Sequence, residues 1–384
     1  MTRRIIHAIT PGDHFSPRTG SAIPTVVHGL ARAALASEGD DARHAVLVDS
    51  TTFRPRYESA EVLEYTGAMP TRRAERIADA ALARLGVARR SAVRAWQPVS
   101  DALRDQSPSI VIAHNAPALP RLLGDQPHTT VLYAHNDLFR TVGRREAERT
   151  LGGVAAIVCV SEDLARHTAS RLPRSLARRV HIVDNGIDTE AFAPRDEPRS
   201  DAHPLRLMYV GRVIADKGPD VLLRAAALLP HDDIEVVIVG STGFDAAAPL
   251  TPYERSLRDL AGKVSGRVAF EPFVDRGRLP DLLRTADIFV VPSRWREPSG
   301  LTIGEAMATG LPVIASAVGG IPEVVGDAGV LIDADDAERL ATEITTLRDD
   351  PLARAALGES ALRRARARSW RRSWNQLRAI LESI

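Results

Sequence analysis

Short apolar runs rich in β-branched residues alternate along the chain with longer segments rich in Ala, Leu and Arg. Strands that are buried on both faces form continuous apolar runs, so this alternation is typical of helices that connect the strands of parallel sheets. In the first half, it predicts a helix from about 21 to 37 and strands near 4–9, 44–49, 109–113, 129–134, 155–160 and 180–183.

The alternation restarts after residues 194–204, where three prolines stand among charged and small residues. This composition is typical of an interdomain linker. Beyond it, we predict strands at 205–210, 234–239, 267–270, 287–291, 312–315 and 329–332, with helices at 218–229, 252–264, 278–285, 300–309 and 335–347. The predicted class is therefore α/β, with two doubly wound Rossmann-like domains over 1–193 and 205–365 and a helical end from 366 to 384.

Composition fits a globular chain of this size. The 384 residues are 44% hydrophobic, 26% charged and 4% aromatic, and the formal net charge is +1. A near-neutral chain gives no reason to expect a nucleic-acid partner. The only cysteine, Cys159, lies in an apolar run and is predicted to be a buried strand residue, so an internal disulfide and a cysteine-based metal cluster are excluded.

Membrane association is expected to be peripheral at most. The apolar start at residues 5–10 is too short for a signal peptide, and no run approaches the ~20 apolar residues of a membrane span, which favours a cytoplasmic location. The Arg-rich stretch from 71 to 104 is predicted to be a solvated helical face. The alternative is a surface for anionic acceptors or lipid head groups.

The first candidate motif follows the predicted strand 205–210. Gly211 permits a turn, and Arg212 and Lys217 precede a helix start together with Gly218. Backbone amides, a helix dipole and two cations together can bind a diphosphate. The chain has 48 arginines and only two lysines, so a compact ammonium at 217 suggests a specific contact. The alternative is a polar surface loop.

The second candidate motif spans the end of strand 287–291 and the next helix. Glu297 precedes the helix and Glu305 lies about one and a half turns into it, so both can reach a cavity at the helix start. The free amides of Ser299, Gly300 and Leu301 also point there. Carboxylates suit sugar and ribose hydroxyls because each accepts hydrogen bonds from a vicinal diol. The alternative for Glu297 is helix capping.

Two other short segments each allow two interpretations. Gly319-Gly320 lets the backbone approach a ligand or simply forms a turn. The acidic string 333–336 resembles a metal site, but it precedes a predicted helix and is interpreted as a capping cluster.

In combination, these motifs resemble retaining glycosyltransferases of family 4, which have the two-domain GT-B architecture with a central cleft. The resemblance covers nearly the whole chain and is strongest from about 205 to 330. It rests on two glutamates separated by seven residues, on the Gly-Arg and Lys-Gly pairs, and on the order of several shorter matches: Val160-Ser161, Asn185-Gly186-Ile187-Asp188 and Gly319-Gly320. The stretch 240–261 also resembles members that decorate spore coats or lipopolysaccharide.

The resemblance implies roles for individual residues. Arg212 and Lys217 would hold the donor diphosphate, Glu305 the ribose hydroxyls and Glu297 the hydroxyls of the transferred sugar, supported by amides at 299–301. His135 matches a family histidine on the sugar and acceptor side, although a lone histidine is more often structural.

The chain departs from the family pattern at two places. Only Gly20 stands where the family has a Gly-Gly pair near the donor phosphate, so the geometry of that contact differs from the family pattern. Glu271-Pro272-Phe273 stands where the family usually has a glycine, which leaves the nucleotide base open. The last helix, with Trp370 and Trp374, would cross back to brace the N-terminal domain.

The implied function is transfer of a sugar from a nucleotide-diphosphate donor, by family precedent a UDP-sugar, to a hydroxyl of a glycan, lipid-linked or small-molecule acceptor. Retaining members use no obvious protein nucleophile, and no metal or other cofactor is expected here. The alternatives are a nucleotide-sugar 2-epimerase and a non-catalytic sugar-nucleotide-binding protein. A dinucleotide oxidoreductase is disfavoured because Pro11-Gly12-Asp13-His14, not a G-x-G-x-x-G turn, follows the first strand.

Overall fold

A computed structural model describes residues 4–67, 73–84, 89–196, 203–230 and 232–384. The chain forms two compact units, one of Met1–Gly186 with Trp370–Ile384 and the other of Ile187–Ser369. Each unit contains one parallel sheet covered by helices. This arrangement confirms the predicted fold class of two doubly wound Rossmann-like domains.

The N-terminal unit is built on seven parallel strands in the order β3-β2-β1-β4-β5-β6-β7. Their bounds are Arg4–Ala8 (β1), Arg43–Asp49 (β2), Glu61–Tyr65 (β3), Ile110–His114 (β4), Thr129–Ala134 (β5), Ala156–Cys159 (β6) and Val180–Ile182 (β7). Its helices are Ala22–Leu35 (α1), Arg73–Arg84 (α2), Arg90–Arg104 (α3), Leu119–Leu122 (α4), Arg144–Leu151 (α5), Glu162–Arg171 (α6) and Arg174–Ala177 (α7). Cys159 is buried in β6, as predicted.

Strand β3 was not predicted from the sequence. It lies at the edge of the sheet and pairs only with β2, so its outer side is exposed. Its two glutamates carry ion pairs at this edge, with Arg4 Nη2 to Glu61 Oε2 at 3.2 Å and Arg54 Nη2 to Glu64 Oε1 at 2.6 Å. Charged side chains are usual on edge strands, and they hide the apolar signal of a buried strand.

The C-terminal unit has six parallel strands in the order β10-β9-β8-β11-β12-β13. These are Leu205–Val210 (β8), Ile234–Val239 (β9), Arg267–Glu271 (β10), Ile288–Val291 (β11), Val313–Ser316 (β12) and Val330–Ile332 (β13). The helices are Pro219–Ala227 (α8), Pro252–Ala261 (α9), Leu279–Arg284 (α10), Leu301–Ala308 (α11), Ile321–Val325 (α12), Ala337–Asp349 (α13) and Pro351–Arg366 (α14).

The boundary between the units lies earlier than the sequence indicated. Residues 187–193 were assigned to the N-terminal domain, but Ile187 and Phe192 are buried in the core of the C-terminal unit. Ile187 also donates its backbone N–H to the carbonyl of Arg368 at 2.8 Å, within the same unit. Apolar burial therefore outweighs the proline-based linker signal at this point, and residues 197–202 of the predicted linker lie outside the described residues.

The last helix, Trp370–Glu382 (α15), belongs to the N-terminal unit, where it packs against α1. Trp374 is fully buried, and its indole Nε1 donates to Asp40 Oδ2 at 2.6 Å. The Trp370 ring covers Gly29 so closely that a Cβ at Gly29 would lie 2.3 Å from it. The two tryptophans therefore anchor the end of the chain, while α14 remains part of the C-terminal unit.

The Arg-rich stretch forms α2 and α3 with ordinary ion pairs. Arg89 Nε lies 2.5 Å from Glu146 Oε1, and Arg94 Nη2 lies 2.8 Å from Glu75 Oε2. Arg72 lies outside the described residues. Of the helices that the structure describes, none has both the length and the apolar character needed to cross a bilayer.

We expect Trp374→Ala to lower the free energy of unfolding by about 3–5 kcal/mol, because it removes a fully buried indole and leaves a cavity. Urea denaturation measures the change. Leu352→Ala is the control, because Leu352 is 83% exposed and its loss should leave stability within about 0.5 kcal/mol. Equal effects of the two changes would contradict the proposed anchor.

Candidate active site

The three sequence motifs of the C-terminal unit follow strands that are neighbours in the sheet. The order β8-β11-β12 places the loops after these strands side by side at the carboxyl edge. Open α/β sheets bind ligands at this edge. The site is therefore built from three adjacent loops: 211–218, 292–300 and 317–320.

Backbone contacts hold the first two loops together. The carbonyl of Asp216 accepts hydrogen bonds from the backbone N–H groups of Arg294 and Trp295, each at 2.9 Å. Gly218 has a φ of +69°, and a Cβ there would lie 1.9 Å from the carbonyl oxygen of Pro292. Only glycine permits this close approach. The close packing of these two loops therefore requires glycine at position 218.

Lys217 and Glu297 form an ion pair across these two loops. Ser293 Oγ donates a second hydrogen bond to the same carboxylate oxygen, Oε1, at 2.9 Å. The side chains are only 21% and 9% exposed, so water screens the pair weakly. An ammonium has three N–H donors, so Lys217 can bind an anionic ligand while it still contacts Glu297.

Arg212 lies in the same turn with an exposed side chain. Its carbonyl accepts a hydrogen bond from the buried Tyr209 hydroxyl at 2.7 Å, which fixes the turn. Burial, and secondarily the charge of Glu297, raises the pKa of Tyr209 well above its usual value, so the hydroxyl stays a donor. Within the described part of the chain, the Arg212 guanidinium has no ion-pair partner, so its charge is available to a ligand.

The double glycine packs against the backbone of Glu297. Gly320 donates its N–H to the Glu297 carbonyl at 2.7 Å. Gly319 has a φ of +60°, and a Cβ there would lie 2.2 Å from the same oxygen. The close approach is therefore to the glutamate loop, which favours the structural interpretation of this motif and positions Glu297.

Glu305 is buried on α11, where it forms an ion pair with Arg276 through Oε1. Its other oxygen, Oε2, is buried and meets no hydrogen-bond partner among the described residues. An unpaired buried acceptor costs about 1–3 kcal/mol, which a hydroxyl of a ligand would recover. Glu305 therefore has one oxygen fixed by Arg276 and one available to a ligand.

The start of α11 offers further donors. Gly300 caps this helix with a φ of +79°. The first amides of a helix have no acceptor within it. The amides of Gly300 and Leu301, and that of Ser299 just before the cap, bind no acceptor in the regions that the structure describes. Ser299 is itself buried at this position.

The structure pairs two of the predicted site residues, and the others make different contacts. Lys217 contacts Glu297 directly, whereas Glu305 is paired with Arg276 instead. Gly211 follows β8 directly and donates its N–H to the carbonyl of Val239 at 3.1 Å. The other two residues, Gly20 and His135, belong to the N-terminal unit.

Those two residues lie at the carboxyl edge of the N-terminal sheet. Gly20 is exposed just before α1, where the hydroxyl of the next residue, Ser21, donates to Asp13 Oδ2 at 2.9 Å. Burial raises the pKa of Asp13 to about 6. His135 follows β5 directly, is 6% exposed and donates its backbone N–H to Asn115 Oδ1 at 2.7 Å.

His135 ends a chain of four buried histidines, the histidine chain. Hydrogen bonds join His44 Nδ1 to His7 Nε2 at 2.9 Å, His7 Nδ1 to His114 Nε2 at 2.9 Å, and His114 Nδ1 to His135 Nε2 at 2.8 Å. Burial lowers the pKa of His44 to about 4 and that of His135 to about 3, and it lowers those of His7 and His114 well below 6.5. All four rings are therefore neutral near pH 7.

Sequence reasoning missed several of these residues. Arg276 is one of 48 arginines in a polar segment, and nothing nearby marks it as the partner of Glu305. Arg294 lies in the loop of the second motif, yet its role was not predicted: Nη2 lies 2.6 Å from both Asp220 Oδ2 and Asp335 Oδ1, which ties the loop at 294 to α8. Asp336 caps α13 through the N–H of Arg339 at 2.8 Å.

Comparison with known proteins assigns both halves of the chain. Residues 23–191 match the family model described as Glycosyltransferase Family 4, and residues 193–364 match Glycosyl transferases group 1. A relative named Spore coat protein SA, from Bacillus subtilis, is 32% identical over 69% of this chain and 75% of its own length. The chain belongs to glycosyltransferase family 4. This confirms the resemblance that the motifs indicated.

Other family members show how far the likeness extends. D-inositol 3-phosphate glycosyltransferase 1 from Catenulispora acidiphila is 34% identical over 61% of this chain, and the match spans 60% of that relative's length. Among solved structures, a sucrose-phosphate synthase from Thermosynechococcus elongatus has a TM-score of 0.78 at 20% identity, covering 99% of this chain and 98% of its own. Anabaena HepE, solved with UDP-glucose, has a TM-score of 0.73 at 18% identity, covering 99% and 100%. These structures share the GT-B fold with this family 4 chain.

We expect stability to decrease as the pH falls below about 6.5, because the buried histidines stay neutral in the native state and bind protons on unfolding. Each ring that stays neutral in the native state lowers the free energy of unfolding by about 2 kcal/mol between pH 7 and pH 5. Urea denaturation across this range measures the slope. His44→Phe removes one proton acceptor and should make the dependence shallower, whereas an unchanged slope would contradict the neutral, buried state of His44.

Proposed function

We propose that this chain transfers a sugar from a nucleotide-diphosphate donor to a hydroxyl of an acceptor, with retention of the anomeric configuration. The observation that carries the proposal is the pairing of Lys217 with Glu297 at the carboxyl edge of the C-terminal sheet. It places a cation for phosphate beside a carboxylate for sugar hydroxyls. Family membership supports the same reaction class.

Lys217 and Arg212 are proposed to bind the diphosphate. Arg212 brings a charge without an ion-pair partner among the described residues, and Lys217 is held at the turn by Glu297. As the sugar–phosphate bond breaks, negative charge builds up on the leaving diphosphate. Cations that are already in position stabilise that charge with little reorganisation.

Glu297 and Glu305 are proposed to bind hydroxyls at the two ends of the donor. Glu305 offers its unpartnered Oε2 to a ribose diol, and Arg276 keeps its other oxygen in place. Glu297 accepts from hydroxyls of the transferred sugar, and the amides at Ser299, Gly300 and Leu301 donate to the same group. Catalysis is then mainly positioning and charge stabilisation, and the leaving phosphate takes the proton of the acceptor hydroxyl.

Donor and acceptor identity rest on similarity. A UDP-sugar donor is proposed from the family and from the UDP-glucose bound to HepE. The name of one relative suggests D-inositol 3-phosphate as an acceptor to test first, and a glycan is the second acceptor that we propose to test. His135 is proposed to contact the sugar or the acceptor, and Gly20 the donor phosphate. A cytoplasmic location, with peripheral membrane contact, stays a prediction.

The proposal is tested by incubating the full chain with UDP-glucose and other nucleotide sugars, with and without these acceptors. We expect nucleoside diphosphate release that depends on acceptor, and a product whose anomeric proton coupling matches that of the donor. Inversion would remove the retaining mechanism. Formation of an epimer from the donor alone would support the 2-epimerase instead, and tight binding without turnover across the panel would indicate a binding protein.

We expect Lys217→Ala to lower kcat by about 10²–10³ while the chain folds normally, because one fixed contact to the developing phosphate charge is lost. The chain supplies a matched control, since Lys263 is its only other lysine and is exposed. Lys263→Ala should keep full activity. Near-full activity of Lys217→Ala would remove the phosphate assignment.

We propose that no metal is required, since Arg212 and Lys217 supply the positive charge. Among the residues that the structure describes, no group of three or more His, Cys, Asp or Glu side chains is arranged to hold a metal ion. Turnover should therefore persist after dialysis against a chelator. A complete loss that added Mg²⁺ or Mn²⁺ restores would contradict this prediction.

A further inference from the structure

The histidine chain runs across four neighbouring strands of the N-terminal sheet. His44 lies on β2, His7 on β1 and His114 on β4, and His135 follows β5. These strands are consecutive in the sheet order, so each ring reaches the next one. All four side chains are at least 93% buried, and no residue of another type interrupts the chain.

Proton counting restricts this chain to two states. A neutral imidazole carries one N–H and one lone pair, so four rings carry four protons on eight nitrogens. Each of the three N···N contacts needs one proton to be a hydrogen bond. One proton then remains for the two end nitrogens, His44 Nε2 and His135 Nδ1. The rings are therefore all Nδ1–H or all Nε2–H tautomers, and no single ring changes alone.

The surroundings of the two ends select the tautomer. His44 Nε2 is buried and meets no hydrogen-bond partner in the described residues. The His44 ring makes an edge-to-face contact with Trp374, at 4.8 Å between ring centres. A buried N–H without an acceptor is rarer than an acceptor without a donor. His135, at the other end, lies at the carboxyl edge of the sheet, where a ligand oxygen can accept a hydrogen bond from Nδ1–H.

We propose that His44, His7 and His114 are positioning residues that hold His135 as its neutral Nδ1–H tautomer, so that His135 donates a hydrogen bond to the substrate and does not act as a base. The substrate part rests on the proposed function. His135 Nε2 is already engaged as the acceptor from His114, and Nδ1 carries a proton, so neither nitrogen can take up the proton of the acceptor hydroxyl. That proton then goes to the leaving phosphate.

The groups around the chain favour the neutral form. Tyr133 stacks on His114 and His135 at 5.3 and 4.6 Å between ring centres. Asp40 is the carboxylate that raises the pKa of His44, but desolvation outweighs it and the net shift is downward. Charge repulsion from His44 and His135 lowers the pKa of His7 further, and repulsion from His135 and His7 lowers that of His114.

The test is a long-range ¹H–¹⁵N correlation spectrum of the full chain labelled with ¹⁵N-histidine, at pH 7.5, with signals assigned by single substitutions. We expect a pyrrole-type Nδ1 and a pyridine-type Nε2 for all four rings. Either an Nε2–H tautomer or an imidazolium at any of the four would overturn the proposal. Since no substrate is present, this result is independent of whether the chain transfers sugar.

Substitution at His114 tests the coupling to His135. His114→Phe removes the donor to His135 Nε2, so His135 should lose its single tautomer, and kcat should fall at least about tenfold with donor affinity unchanged, as when a catalytic histidine adopts the wrong tautomer. His114→Asn places an amide N–H near the position of Nδ1 and should restore both the tautomer and kcat. His181→Phe, outside the chain of four, is the control and should change neither.

Failure of the Asn variant to restore the His135 tautomer, or an unchanged tautomer in the Phe variant, would overturn the coupling. If the tautomers are as expected but no donor is turned over, the proposed function fails and the proton arrangement stands.

Discussion

The candidate site depends on the ion pair between Lys217 and Glu297. Each residue lies in a loop after a different strand, and the pair links the side chains of these loops at the carboxyl edge of the sheet. Both side chains are mostly shielded from water, so the Coulomb attraction is stronger than that of an exposed pair. A partly buried pair also makes each partner sensitive to the other, because removing one leaves an uncompensated charge.

Neighbouring backbone and side-chain contacts position Lys217 and Glu297. Glycines at 218 and 319 allow the neighbouring loops to approach carbonyl oxygens at distances that any side chain would block. Ser293 fixes the rotamer of Glu297, and Arg294 ties its loop to Asp220 at the start of α8. The result is a preorganised cation and carboxylate, which we propose bind the diphosphate and a sugar hydroxyl of the donor.

Much of the fold and half of the site follow from the sequence. The described residues form thirteen strands, and continuous apolar runs predicted twelve of them, because both faces of a parallel strand are buried. The motif residues were found because they lie between a predicted strand and the following helix, where open α/β sheets bind ligands. Partners such as Arg276 were not found, since a surface arginine and a site arginine have the same local pattern. The histidine chain needed the sheet order, which brings His7, His44 and His114 into a row although up to 107 residues separate hydrogen-bonded members.

The most direct measurement of the central claim is the affinity of Glu297→Gln for UDP and for UDP-glucose by isothermal titration calorimetry. If Glu297 recognises the sugar, the variant binds UDP about as tightly as the unmodified chain does, because Gln keeps an acceptor oxygen for Lys217, while the sugar no longer adds affinity. Equal weakening for both ligands, or an unchanged preference for UDP-glucose, would contradict the account.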